Sequence, residues 1–181
     1  AHIAYTPRAS GNFANDKASG GTGNATGGSG YDIVVQHSGL MDGLNVFAGI
    51  SQIDQTADAA ARNDDREQYA IGFTYAVGSV TLGMQMSEDD MNNVTGKQAY
   101  DNMAWGVSFA VNDDLTLSYG VHESTAKSVD SAEVDNEAES IQVSYSMGGA
   151  SIKFAETSVD NASYNSANDW DGTTVALSLA F

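Results

Sequence analysis

The residues best suited to chemistry are two acidic clusters, Asp64-Asp65-Glu67 and Glu88-Asp89-Asp90, and the run His122-Glu123-Ser124. Carboxylates on flexible connections supply the hard oxygen ligands that Ca²⁺ takes. Asp64, Asp65, Glu67, Glu88, Asp89 and Asp90 are therefore candidate ligands of a loop-bound Ca²⁺ ion, although no EF-hand spacing is present. The plainer reading of the same residues is solvated loop charge. A histidine beside a carboxylate and a hydroxyl invites a hydrolase reading with His122 as general base. In an extended chain His122 and Glu123 point to opposite sides, which favours a solvated histidine. Lys153 shares its parity with Ser151 and Ala155. It is the one basic side chain expected on a face of small residues, where it either meets solute or reaches along its stem to a nearby rim. No catalytic residue is expected, and no cofactor beyond that Ca²⁺.

A period of two positions these residues. It begins at Tyr31 and recurs to the last residue. In Gln68–Val77 the residues Tyr69, Ile71, Phe73, Tyr75 and Val77 share one parity, while Gln68, Ala70, Gly72, Thr74 and Ala76 share the other, which is the signature of a strand. The same alternation predicts strands near 31–38, 44–53, 67–77, 80–87, 99–111, 115–124, 138–147, 150–157 and 170–181, and a fragment at 2–6 brings the total to ten. Tight connections at Gly39–Gly43, Gly78-Ser79, Asn112–Asp114 and Gly148-Gly149 alternate with long ones near 54–66, 88–98, 125–137 and 158–169, so one hairpin recurs. Gln55–Arg62 is compatible with a short helix. The stretch from Pro7 to Gly30 holds seven of the 19 glycines and reads as a linker-like loop.

With 7 Lys+Arg against 24 Asp+Glu the net charge is −17. That excludes the basic stripe a nucleic-acid binder needs and opposes docking on anionic lipid surfaces. The absence of cysteine excludes disulfides and thiolate metal sites. Alternation alone fits a soluble sandwich as well as a membrane barrel, and what decides is the second face. A soluble outer face carries Lys, Glu and Arg, whereas this one is built of Gly, Ala, Ser, Thr, Gln and Asn. Acidic residues are expected in the long loops, the tight turns and the loop-side strand ends, with none mid-strand. Thr74, Gln85, Ser108, Ser118, His122, Gln142 and Lys153 are the expected lining of a water-filled interior, and Ile71, Phe73, Leu82, Val107 and Leu117 are expected to meet lipid. Tyr31, Tyr69 and Phe181 suit interfacial girdles.

The alternating tight and long connections, the strand exit Ala4-Tyr5-Thr6-Pro7, the hairpin repeat and the ending Thr173–Phe181 resemble Gram-negative general porins of the alphaproteobacterial type. In such outer-membrane proteins a final strand with alternate apolar residues and a C-terminal aromatic is the signal read by the barrel-assembly machinery, and Val175, Leu177, Leu179 and Phe181 match it. The resemblance implies an all-β antiparallel transmembrane barrel in the cell outer membrane, in contact with lipid and lipopolysaccharide. It further implies a homotrimer of 16-stranded barrels, passive diffusion of small hydrophilic solutes and ions, and a third loop folded inward as a constriction. Ten strands fall short of that number, so the chain is expected to be a C-terminal portion with the constriction residues upstream of Ala1. The acidic loops suggest a weak preference for cations. The competing readings are a soluble secreted acidic β-rich adhesin or carbohydrate-binding protein, and a barrel enzyme.

Overall fold

The computed structural model describes residues 1–7, 27–55 and 64–179. Its strands are β1 (His2–Thr6), β2 (Gly27–His37), β3 (Leu44–Gln55), β4 (Arg66–Val77), β5 (Val80–Asp90), β6 (Lys97–Ala110), β7 (Leu115–Ser128), β8 (Val134–Met147), β9 (Ala150–Asp160) and β10 (Trp170–Leu179). Each pairs antiparallel with its sequence neighbour in one ten-stranded sheet, with β1 and β10 at the two edges. All ten expected strands are present. Gln55 closes β3; the rest of the segment considered for a helix, most of the Gly-rich stretch and Phe181 lie outside the described residues.

At the tight turns the strand ends fall within a residue or so of expectation, because hydrophobic alternation and backbone pairing stop together there. At the long connections the strands overrun. β5 continues to Asp90, β7 to Ser128 and β9 to Asp160, while β2 begins at Gly27 and β8 at Val134. Thus Glu88, Asp89, Asp90, Asp135, Glu137 and Asp160, expected in loops, sit on paired strands. The physical reason is that alternation reports which face is apolar, whereas the hydrogen-bond ladder needs only backbone. Beyond the apolar band both parities are polar, and the ladder continues unmarked.

The register is sheared. Following direct partners from Val77, beside its turn, leads through Val80, Phe109 and Leu117 to Val143, Phe154 and Val175, which stand well up their strands from Met147 and Ala150. Such a climb is what strands tilted about a barrel axis produce.

Packing follows the same logic. Among the described residues the buried apolar side chains are only Ala99, Ala126, Val159 and Ala162. Ile71, Ile141, Val175 and Leu177 are 57–65% exposed, with Phe73, Leu82, Trp105, Phe109 and Leu117 also open. A soluble sheet covers its apolar face with a second layer. Here the apolar face is bare across the sheet, a patch far beyond what a water-soluble monomer exposes.

Candidate functional site

Register carries each predicted site residue to a definite face. Thr74 lies opposite Gly83, two residues from Gln85; Gln85 pairs through Ala104 to His122; Ser108 faces Ser118 and Ser118 faces Gln142; Lys153 faces Ser144. All seven therefore share one polar face. Its neighbours are small: Gly83, Gly106 and Gly120 are consecutive partners across β5, β6 and β7. Phe47 is a large apolar exception that alternation around β3 did not single out. It lies opposite Gly72, and a Cβ on Gly72 would come within 2.5 Å of its ring and 2.6 Å of the Met84 carbonyl oxygen. The glycine is what lets the ring lie flat on the wall.

The other face is apolar near the tight turns and becomes acidic towards the long connections. Tyrosines mark the border: the Tyr31 hydroxyl donates to Gln52 Oε1 at 2.7 Å and the Tyr69 hydroxyl to Glu88 Oε2 at 2.6 Å. Above them carboxylates stand directly opposite one another, Glu67 to Asp90, Glu88 to Asp101, Glu123 to Glu137 and Glu137 to Asp160. Like charges in direct register repel. Partial relief comes from Lys127, paired with Asp101, and from hydroxyls: Thr125 Oγ1 donates to Asp135 Oδ1 and Thr173 Oγ1 to Glu156 Oε2, both at 2.7 Å.

The six candidate Ca²⁺ ligands do not converge. Asp89 lies on the polar face and binds Arg66, whose Nε donates to Oδ1 at 2.7 Å, while Glu67, Glu88 and Asp90 take the opposite face. Asp65 accepts from the Gln52 side chain and the Gln55 backbone N–H, Asp90 from the Asn92 N–H, and Asp64 from the Asp65 N–H. Among the described residues no group of three or more His, Asp or Glu side chains is placed to hold a metal ion. His122 stands between Ala104 and Ala138 on the polar face, with Glu123 on the other.

Sequence gave no sign of one feature. The turn between β9 and β10 folds over the polar face: a 3₁₀ turn at Ala162–Tyr164 puts the Tyr164 hydroxyl 2.7 Å from Ser124 Oγ, which itself donates to Asn102 Oδ1 at 2.6 Å. Ser124 is 3% exposed; the buried Ala126 and Val159 share its face and the buried Ala162 belongs to the turn, while the buried Ala99 takes the opposite face between Asp90 and Lys127.

Residues 1–150 of the chain match the Gram-negative porin family. This span is most of the sequence, and it takes in β1 to β8 of a sheet whose apolar face is bare and whose polar face is lined by small residues. The chain belongs to the Gram-negative porin family. A search of curated proteins returned no match. As a porin it falls in a class of outer-membrane diffusion channels, not a class of enzymes, and its antiparallel strands are the membrane-crossing elements of such a channel. The fold class expected from sequence, all-β with ten antiparallel strands, is the one observed. In the porin, the 161–169 turn escaped sequence reading because Asn161-Ala162-Ser163-Tyr164 carries no periodic signal. The three tyrosine and histidine landmarks of the two faces, Tyr31, Tyr69 and His122, were readable from parity alone.

Proposed function

We propose that the polar face is the wall of a water-filled pore through which small hydrophilic solutes and ions diffuse passively, with a weak preference for cations. The observation that carries this reading is the opposition of the two faces: exposed Ile, Leu, Phe and Val on one, and Gly, Ala, Ser and Thr on the other. Lipid is the medium in which the first face is stable, and confined water suits the second. A soluble adhesin would have to leave the apolar face in water. Thr74, Gln85, Ser108, Ser118, His122, Gln142 and Lys153 are then pore-lining.

The finer parts of the reading rest on family and physics together. Two unpaired edge strands call for closure, which a 16-stranded barrel provides with these ten strands as one arc and three barrels as a homotrimer. The carboxylate belt above the tyrosine border stands at the level of the outer-leaflet headgroups. There, divalent cations such as Ca²⁺ would bridge it to lipopolysaccharide phosphates, as a diffuse layer over the outer face and not as a single coordinated ion. Val175, Leu177 and Leu179, open at the edge of the sheet, and the terminal Phe181 present the recognition strand to the assembly machinery.

Reconstitution of the intact protein into planar bilayers tests the pore: stepwise ion conductance is expected. A protein that stays monomeric in buffer without detergent and gives no conductance overturns it. Cysteines at 73 and 74, in a chain with none of its own, test the faces. Position 74 should react with a water-soluble thiol reagent and 73 should be protected, and the reverse would invert every face.

A further inference from the structure

The turn Asn161–Asp169 is held unusually firmly for an outer loop. Asn161, Ser163 and Tyr164 have φ of 53°, 60° and 57°, left-handed values that cost a non-glycine residue about 1 kcal/mol or more each. Such angles persist only where surroundings impose them. Here the surroundings are explicit. The Asn161 N–H donates to Asp169 Oδ1 at 2.8 Å, its side-chain amide to the Asp135 carbonyl at 2.8 Å, and Asn136 Nδ2 donates to the Asn161 carbonyl at 3.1 Å. The Ala162 N–H donates to the Asn168 carbonyl at 2.7 Å. Beneath lies the patch of buried side chains already described. The Tyr164 ring sits 5.1 Å from that of Tyr100, and Lys97 Nζ lies 4.1 Å from the Tyr164 ring centroid and 5.6 Å from that of Tyr100. Lys97 itself stays exposed, and its ammonium is held near the two rings by their quadrupoles.

Tyr100, Asn102, Ser124 and Ala126 are on the face that carries Gln85 and His122, so the turn covers that face and not the apolar one. We infer that the Asn161–Asp169 turn is a fixed constriction on the pore wall at the long-loop mouth, and that Lys97, held over Tyr164, is the charge that solutes meet there. The inference rests on the pore reading of the polar face. Whatever lies on the wall takes cross-section from the channel, and the locked backbone makes that loss constant instead of gated. A cation fixed where the channel narrows acts on permeant ions more than one on the open rim.

The experiment uses single cysteines in the intact protein. Labelling Ser163→Cys, on the exposed side of the turn, with a bulky neutral maleimide should lower single-channel conductance by about a third. Labelling Thr125→Cys, at a neighbouring level on the opposite face, should leave conductance unchanged. Complete labelling at 163, established by mass, with undiminished conductance overturns the constriction. Absence of channels from the unmodified protein would instead remove the pore reading itself, a distinguishable result. Charge reversal gives a second test that leaves the residues of the turn unchanged: Lys97→Glu should raise the cation-to-anion permeability ratio about twofold, and Lys127→Glu on the apolar face should barely move it. Equal shifts from the two variants overturn the role of Lys97.

Discussion

The two ends of the same strands obey different rules. Near the tight turns, backbone pairing, side-chain alternation and exposure of large apolar groups coincide, as at Phe73, Leu82, Phe109 and Leu117. Towards the long connections the ladder continues, but the residues on the same parity are Glu88, Asp101, Glu123 and Glu137. One sheet is therefore built for two solvents, and the tyrosines bonded to Gln52 and Glu88 stand where one gives way to the other.

The sharpest way to break that comparison is to move one charge along the apolar face. Phe73→Arg at mid-strand should cost about 2–4 kcal/mol, and Thr125→Arg beside Asp135 about 0–1 kcal/mol, both read as unfolding free energies in lipid vesicles. Equal costs would mean that the acidic belt lies at the same depth as Phe73. Next in size is the proposed recognition end. Phe181→Asp should cut the amount of heat-modifiable protein in outer membranes several-fold, and normal levels would show that the final strand is not read through its aromatic.

A smaller effect tests the turn end itself. Gly43 has φ 79°, and a Cβ there would collide with the Ala76 carbonyl oxygen, whereas Gly148, at φ 58°, has nothing within 4 Å of such a Cβ. Gly43→Ala should therefore cost about 2–3 kcal/mol in the same unfolding assay, and Gly148→Ala about 1 kcal/mol from backbone strain alone. Should the two costs match, the close approach of β4 to Gly43 is not a constraint on the fold.

These differences also explain what the sequence could disclose. Parity in segments such as Gln68–Val77 reports an apolar face, so strand number, turn positions and the faces of Thr74, Ser108 and Lys153 were legible. Pairing across Val134–Glu137 was not, because no face there is apolar and the backbone bonds that extend β8 leave no compositional mark. The candidate Ca²⁺ ligands lie apart for the same reason: read as one loop, Glu88-Asp89-Asp90 is a strand, and a strand sends Asp89 to Arg66 and its neighbours to the other side. Contacts such as Tyr164 with Ser124 join residues 40 apart in sequence, and no local pattern announces them.

The smallest predicted effect concerns ion preference, and the split between the ends reduces it. Counted over the whole chain, 24 acidic against 7 basic residues suggest a strongly negative mouth. Register moves much of that charge off the polar face, since Glu88, Asp101, Glu123, Glu137 and Glu156 share the apolar parity. On the polar face Asp89 is neutralised by Arg66, and the same face carries Asp32 on β2, Lys97 on β6 and Lys153 on β9. Carboxylates on the outer surface act on ions at the entrance only within a Debye length, about 10 Å at 0.1 M salt and about 3 Å at 1 M. The cation-to-anion permeability ratio should then be about 1–3 at 0.1 M and approach 1 at 1 M. Reversal potentials under a salt gradient measure it directly. A clear anion preference at low salt would show that basic groups at the narrowest point override the belt, and a strong cation preference surviving 1 M salt would place carboxylates inside the pore, on the face where register puts Gly, Ser and Thr.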